Sequence, residues 1–185
     1  KPRNFLEIGV FCGVTARNTC DYLYDKYKED FSYTGVDFFG SDKKLSNEEI
    51  EPEFLKDQKF SNPLKNLYYN YIVRENLNSL DSVEKLLKRY KNNVKLVAGD
   101  TNVVLNKIDL KKVEFVFLDG GHSYKTVMSD LNILWAAKGR GKTLLCDDYG
   151  KMSYIPEVEK AINDFVKQNN LNLNIIENRF AEIII

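Results

Sequence analysis

Two short acidic segments of this chain carry residues that do chemistry. Leu118-Asp119-Gly120-Gly121-His122-Ser123-Tyr124 follows the apolar run 113–118, and Leu144-Leu145-Cys146-Asp147-Asp148-Tyr149 follows the basic stretch 138–142. Each reads as a buried strand that ends in carboxylate. In an open parallel sheet the carboxyl ends of neighbouring strands face one crevice, and ligands bind there. If the two strands are neighbours, Asp119, Asp147 and Asp148 converge, with the only histidine of the chain, His122, beside them. Three hard oxygen donors suit Mg²⁺, Mn²⁺ or Ca²⁺. Without a cation the acids repel, and at least one stays protonated. A histidine titrates near neutral pH and can accept a proton from a reacting hydroxyl. The plainer reading is that the aspartates cap helices and His122 bonds a turn. It suits each residue taken alone but does not account for the set.

A third segment, Glu7-Ile8-Gly9-Val10-Phe11-Cys12-Gly13-Val14-Thr15, joins the apolar run 4–8 to a helical pattern. Glycines let the backbone turn sharply and approach a ligand closely. The helix N-terminus beyond them presents N–H groups and a positive dipole to an anion. The spacing is G-x-x-x-G rather than the G-x-G-x-x-G of dinucleotide enzymes. Glu7, an acid on the strand before the first glycine, suggests a ligand carrying an ammonium group. Asp37 ends the second predicted strand, where an acid binds ribose hydroxyls in nucleotide-binding sheets. A bare turn needs neither acid, so the pair favours a bound cofactor.

Strands and helices alternate to position these residues. Strand 4–8 leads to a helix with Thr15 as predicted N-cap and Ala16, Thr19, Cys20, Leu23 and Tyr27 at helical spacing. Strand 33–38 follows. The stretch 40–78 breaks the alternation; it is polar, holds Pro52, Pro63, Tyr68, Tyr69 and Tyr71, and is predicted to be an insert or lid whose aromatics pack in the core or the lid. A helix with Asp81 as cap and Glu84 three residues on comes next. Strand 94–98 ends in Gly99-Asp100, and 103–108 is a short helix. After strand 113–118 a helix starts near Ser123, with Ser123 as cap and Tyr124 in the core. Strand 143–146 precedes a helix opened by Pro156. The final strands 171–176 and 180–185 are joined by residues 177–179, which allows an antiparallel pair but not a parallel one. The expected fold is α/β, a Rossmann-like doubly wound seven-stranded sheet in three layers with a C-terminal antiparallel hairpin, forming one domain over 1–185.

With these motifs in this order the chain resembles the class I S-adenosylmethionine-dependent methyltransferases. The resemblance rests on Glu7-x-Gly9-x-x-x-Gly13, Asp37, Gly99-Asp100 and the terminal hairpin. It is most similar to the subgroup with Asp-Gly-x-His-Ser-Tyr and a later Asp-Asp-Tyr, which includes macrocin-type sugar O-methyltransferases. More distantly it is similar to the Mg²⁺-dependent catechol-type enzymes. The resemblance implies that Glu7, Gly9 and Gly13 lie along the methionine part of S-adenosylmethionine, with Thr15 at the helix start beside them. It implies Asp37 on the ribose and Gly99, Asp100 and Thr101 near the adenine. It makes Asp119, Asp147 and Asp148 the metal ligands, with Asp119 also near the cofactor, and His122 the general base. The implied reaction is methyl transfer to a hydroxyl of a small molecule or sugar, assisted by Mg²⁺ or a related cation. Three other readings stay open. One is a metal-independent methyltransferase using His122 and Asp119. Another is an inactive nucleotide-binding or interaction module. The third, a dinucleotide oxidoreductase, is disfavoured by the glycine spacing. A cap before the first strand is common in the family and is expected to be absent here, so the acceptor pocket should come from 40–78 or another chain.

The composition is neutral, with 27 basic and 27 acidic residues among 185, and gives no electrostatic footprint for nucleic acid. The three cysteines have no metal-type spacing and read as small buried residues of a reducing compartment. No apolar run is long enough to cross a bilayer, and there is no signal-like start. The expected setting is cytoplasmic, the expected partner a small-molecule acceptor, and a homo-oligomer is compatible with the composition.

Overall fold

The computed structural model describes residues 1–40, 61–137, 141–150 and 155–185. The strands in the middle of the sheet carry the most deeply buried residues, among them Leu6, Ile8, Val36, Val116 and Leu144. β1 (Asn4–Ile8), β2 (Ser32–Asp37), β3 (Val94–Ala98), β4 (Phe115–Leu118) and β5 (Thr143–Cys146) are parallel. β7 (Phe180–Ile184) runs antiparallel to both β5 and β6 (Leu173–Ile176). The sheet order is β3-β2-β1-β4-β5-β7-β6. The order reverses direction between β1 and β4, so the ligand crevice of such a sheet opens at their carboxyl ends. The seven-stranded, hairpin-closed sheet expected from the sequence is the one observed.

The described helices are α1 (Val14–Tyr27), α2 (Pro63–Leu67), α3 (Leu80–Leu86), α4 (Thr101–Val104), α5 (Tyr124–Ala136) and α6 (Pro156–Gln168). The strand pleat divides the core into two. Leu6, Ile8, Val116, Leu118 and Leu144 pack under Val127, Leu131 and Leu134 of α5 and Val158, Ile162 and Phe165 of α6. Phe5 and Tyr33 face the other way, against Ala16, Cys20 and Leu23 of α1 and Val83 of α3. Each fully buried large side chain contributes about 1.5–3 kcal/mol. Lys142, expected in a basic turn, is 2% exposed and is turned inward. Its ammonium donates to the carbonyls of Leu110 and Ala137, both at 2.9 Å.

Several helix starts differ from expectation for local reasons. Thr15 does not cap α1. Gly13, in the left-handed region at φ +75, leads straight into Val14, and no side chain caps the helix. Ser79 rather than Asp81 caps α3, because its hydroxyl accepts from the Ser82 N–H at 3.2 Å. Asp100 caps α4, which therefore begins at Thr101 and passes into a 3₁₀ turn over Leu105–Lys107. Val113 closes a 3₁₀ turn through the Leu110 carbonyl, which delays β4. Ser123 and Pro156 open α5 and α6 as expected.

Residues 41–60 of the expected insert lie outside the described residues. The rest is α2, running into a π-helical turn over Tyr68–Val73. Tyr68 is 50% and Tyr71 67% exposed, so this pair does not join the core. Among the described residues, no helix is long and apolar enough to cross a membrane.

Candidate active site

The glycine turn is built against the end of β4. Gly9 has φ +91, and a Cβ there would lie 1.8 Å from the Asp119 carbonyl oxygen, so only glycine fits. Asp37 fastens this turn to β2. One carboxylate oxygen accepts from the N–H groups of Val10 and Phe11, both at 2.8 Å, and the other from Phe39 at 2.7 Å. Phe11 and Phe39 both have φ +50, which is strained for a bulky residue. The three charge-assisted bonds offset that strain. The Gly99 N–H donates to the Asp37 carbonyl at 2.9 Å, bringing Gly99 and Asp100 beside the turn. Asp100 is engaged as a helix cap, and Thr101 is the first residue of α4. Thr15 lies exposed in the first turn of α1.

Glu7 lies beneath the turn rather than on it. Its carboxyl is 3% exposed on the α1 side of the sheet and accepts a hydrogen bond from the Tyr33 hydroxyl. Burial pushes its pKa up to about 8; the Tyr33 bond lowers it, and Asp119 and Asp37 raise it. Near neutral pH this group is therefore mostly protonated.

The acids at β4 and β5 converge as the sequence required. The Asp119 N–H donates to the Ile8 carbonyl at 2.8 Å, and the Asp147 N–H to the Leu118 carbonyl at 2.9 Å. Each bond extends a parallel ladder by one residue. Ligand atoms of Asp119, His122 and Asp148 lie within 4.8 Å of one another. His122 Nε2 is 3.2 Å from Asp148 Oδ2. Asp148 has φ +58, and its N–H donates to Asp147 Oδ1 at 2.8 Å. Asp119 is pushed up to about 7, first by burial and then by Asp147 and Asp148, while His122 and Arg179 pull it down.

Asp147, expected among the metal ligands, is paired with an arginine. It is 4% exposed, and both of its oxygens are held by the Arg179 guanidinium, through Nε at 2.7 Å and Nη2 at 2.6 Å. The donor atoms that gather are those of Asp119, His122 and Asp148. Two carboxylates and an imidazole nitrogen this close are donor types that a divalent metal ion takes. Arg179 was not singled out by sequence. The signal was a cation in the 177–179 connection, meaningful only once β7 is paired with β5. Ser123 caps α5, and the Tyr124 hydroxyl donates to Asp164 at 3.1 Å, so both are structural.

A narrow cavity between these acids is floored by Leu118, Val127, Cys146 and Ile162. The larger groove, about 960 Å³ between residues 105–111 and 124–137, includes none of the acids. A family model described as a methyltransferase domain matches residues 6–149, a span holding the glycine turn, Asp37 and all three strand-end acids. The chain belongs to this methyltransferase family.

The methyltransferase fold recurs in solved structures. The O-methyltransferase NovP superposes with a TM-score of 0.64 at 18% identity, covering 99% of this chain and 72% of NovP. CalS11, a TDP-rhamnose 3'-O-methyltransferase of calicheamicin biosynthesis, gives 0.60 at 15% identity, covering 99% of this chain and 72% of CalS11. At such identities the likeness is one of fold. Uncharacterized protein R132 of Acanthamoeba polyphaga mimivirus is 32% identical over 54 residues, which span 29% of this chain and 24% of R132. Arg179 lies beyond the matched domain, on the hairpin that completes the methyltransferase sheet.

Proposed function

We propose that this methyltransferase transfers a methyl group to a hydroxyl oxygen of a small molecule, a sugar or a glycosylated compound. The observation that carries the reading is the meeting of Asp119, His122 and Asp148 beside the Gly9 turn. S-adenosylmethionine, when bound, supplies an electrophilic methyl carbon. The Gly9–Gly13 turn would hold it at the mouth of β1, and Asp37 keeps that turn in shape while offering a carboxylate toward the ribose. An acceptor hydroxyl at the β4–β5 ends lies next to His122; with Nε2 turned to Asp148, 3.2 Å away, which orients the ring, the other imidazole nitrogen would take the proton as the oxygen bonds to the methyl carbon and the sulfur leaves as a thioether. The likeness to a TDP-rhamnose methyltransferase supports a sugar acceptor. The three cysteines are free thiols, which supports a cytoplasmic, reducing setting.

A second reading is favoured by the donor group itself. A divalent cation on Asp119, His122 and Asp148, when bound, supplies positive charge that stabilises a deprotonated acceptor oxygen. Under this reading the imidazole nitrogen is a ligand and not the proton acceptor.

S-adenosylhomocysteine formation, measured over a panel of hydroxylated acceptors with Mn²⁺, Mg²⁺ or EDTA, tests both. Turnover lost in EDTA and restored by Mn²⁺ supports the cation. Turnover insensitive to EDTA supports His122 as base. No turnover with any hydroxylated sugar, in protein that binds S-adenosylhomocysteine, overturns the acceptor class.

A further inference from the structure

Arg179 is held in place from two directions. Its carbonyl accepts from the Tyr149 N–H at 2.8 Å, just past the end of β5, and its own N–H donates to Ile176 at 3.1 Å. The turn before it is tight, with Glu177 at φ +54 and Asn178 at φ +53. The guanidinium is thereby delivered to the acidic end of β5, where it meets Asp147 in a two-pronged pair. The two partners differ in exposure. The Asp147 side chain is 4% exposed, whereas that of Arg179 is 55% exposed. The arginine can swing into water, but the aspartate cannot.

We infer that Arg179 is a built-in competitor for the crevice cation, a positioning residue that neutralises Asp147 beside the donor group and so weakens divalent binding. This rests on the cation reading of the same site. With the pair closed, a cation meets Asp119, His122 and Asp148. With the pair open, the site loses one positive charge and the Asp147 carboxylate, which lines the same cavity, is left uncompensated. Both changes favour the metal. The hairpin tip thus sets how tightly the centre is loaded, and a substrate anion that drew Arg179 away would tighten it.

The test is Mn²⁺ binding to the full chain, read by calorimetry and by the spin resonance of free Mn²⁺, with no turnover involved. R179Q should bind about 10–100-fold more tightly than the natural chain, the range seen when the surroundings of metal ligands are altered. The gain should vanish in R179Q/D147N, while D148N should lose binding. R179K, which keeps the charge but not the two-pronged geometry, should fall between and serves if R179Q does not fold. Equal or weaker Mn²⁺ binding in folded R179Q, with binding still dependent on Asp148, overturns the competition but keeps the cation reading. No Mn²⁺ binding by either protein overturns both.

Discussion

Asp37 and Asp119 stand on opposite sides of the Gly9 turn, yet their negative charge is answered differently. At the β1–β2 ends the partners are mostly backbone. Asp37 has three N–H groups, and Glu7 has a buried tyrosine hydroxyl and a retained proton. At the β4–β5 ends side chains predominate, beside one backbone N–H, that of Asp148. Asp147 has Arg179, and Asp148 faces His122. Backbone donors cannot leave, whereas a half-exposed arginine and an imidazole can exchange for a ligand or a proton. One side of the crevice is built to keep its shape, and the other to change its charge. Different kinds of hydrogen-bond donor are enough for this division.

The sharpest way to break the comparison is to remove the exchangeable side. His122→Ala should cut methyl transfer by about 10²–10⁴-fold, the range for a lost general base, with affinity for S-adenosylhomocysteine changed little. Single-turnover kinetics beside calorimetry would check this. A loss of cofactor affinity to match would mean that the two sides are not separate.

The next effect concerns Glu7. Burial holds its folded pKa at about 8, above the 4.5 of an ordinary glutamate. The stability this gives is present below about pH 4.5 and is lost as pH rises through about 8. Glu7→Gln never ionises, so its stability relative to the natural chain should grow between pH 5 and 9, reaching about 2–4 kcal/mol. Chemical denaturation at a series of pH values measures it, and parallel profiles would refute the buried acid.

Smaller still is the loss of the fixed donors' acceptor. Asp37→Ala should weaken S-adenosylhomocysteine binding by about 10–100-fold, on the order of one or two charge-assisted hydrogen bonds. It should also speed hydrogen exchange at the amides of Val10, Phe11 and Phe39. Weakened binding with unchanged exchange would assign Asp37 to the ligand alone. Tyr33→Phe, which removes one hydroxyl from beside Glu7, should cost about 1 kcal/mol of stability and leave turnover near normal. Thermal denaturation is sufficient to see it.

The parts legible in sequence are those governed by local pattern. The apolar runs gave strands because the middle of the sheet is deeply buried, and the three-residue link at 177–179 forced an antiparallel pair. The acids at 119, 147 and 148 were visible because they end such runs. What stayed hidden depends on distant partners. Arg179 and Asp147 are 32 residues apart, and no spacing rule joins them. Glu7 reads as an ammonium partner until burial against Tyr33 is known. Asp37 reads as a ribose acceptor, and the three amides it gathers become visible only when two turns are folded onto it. The cap errors are of another kind. Ser79 and Asp81 lie within one turn, and both are good caps, so sequence alone does not rank them.

The antiparallel hairpin has a consequence for how the chain assembles. During synthesis the five parallel strands emerge first, and β5 is then an open edge with unpaired amides. Asp147 at its end is an acid awaiting a cation that has not yet been made. Residues 173–184 satisfy both needs in one step, pairing the edge and delivering Arg179. The acidic centre therefore reaches its final charge only when the last strand docks, and a nascent chain stalled before that point carries an aggregation-prone edge beside an unneutralised carboxylate.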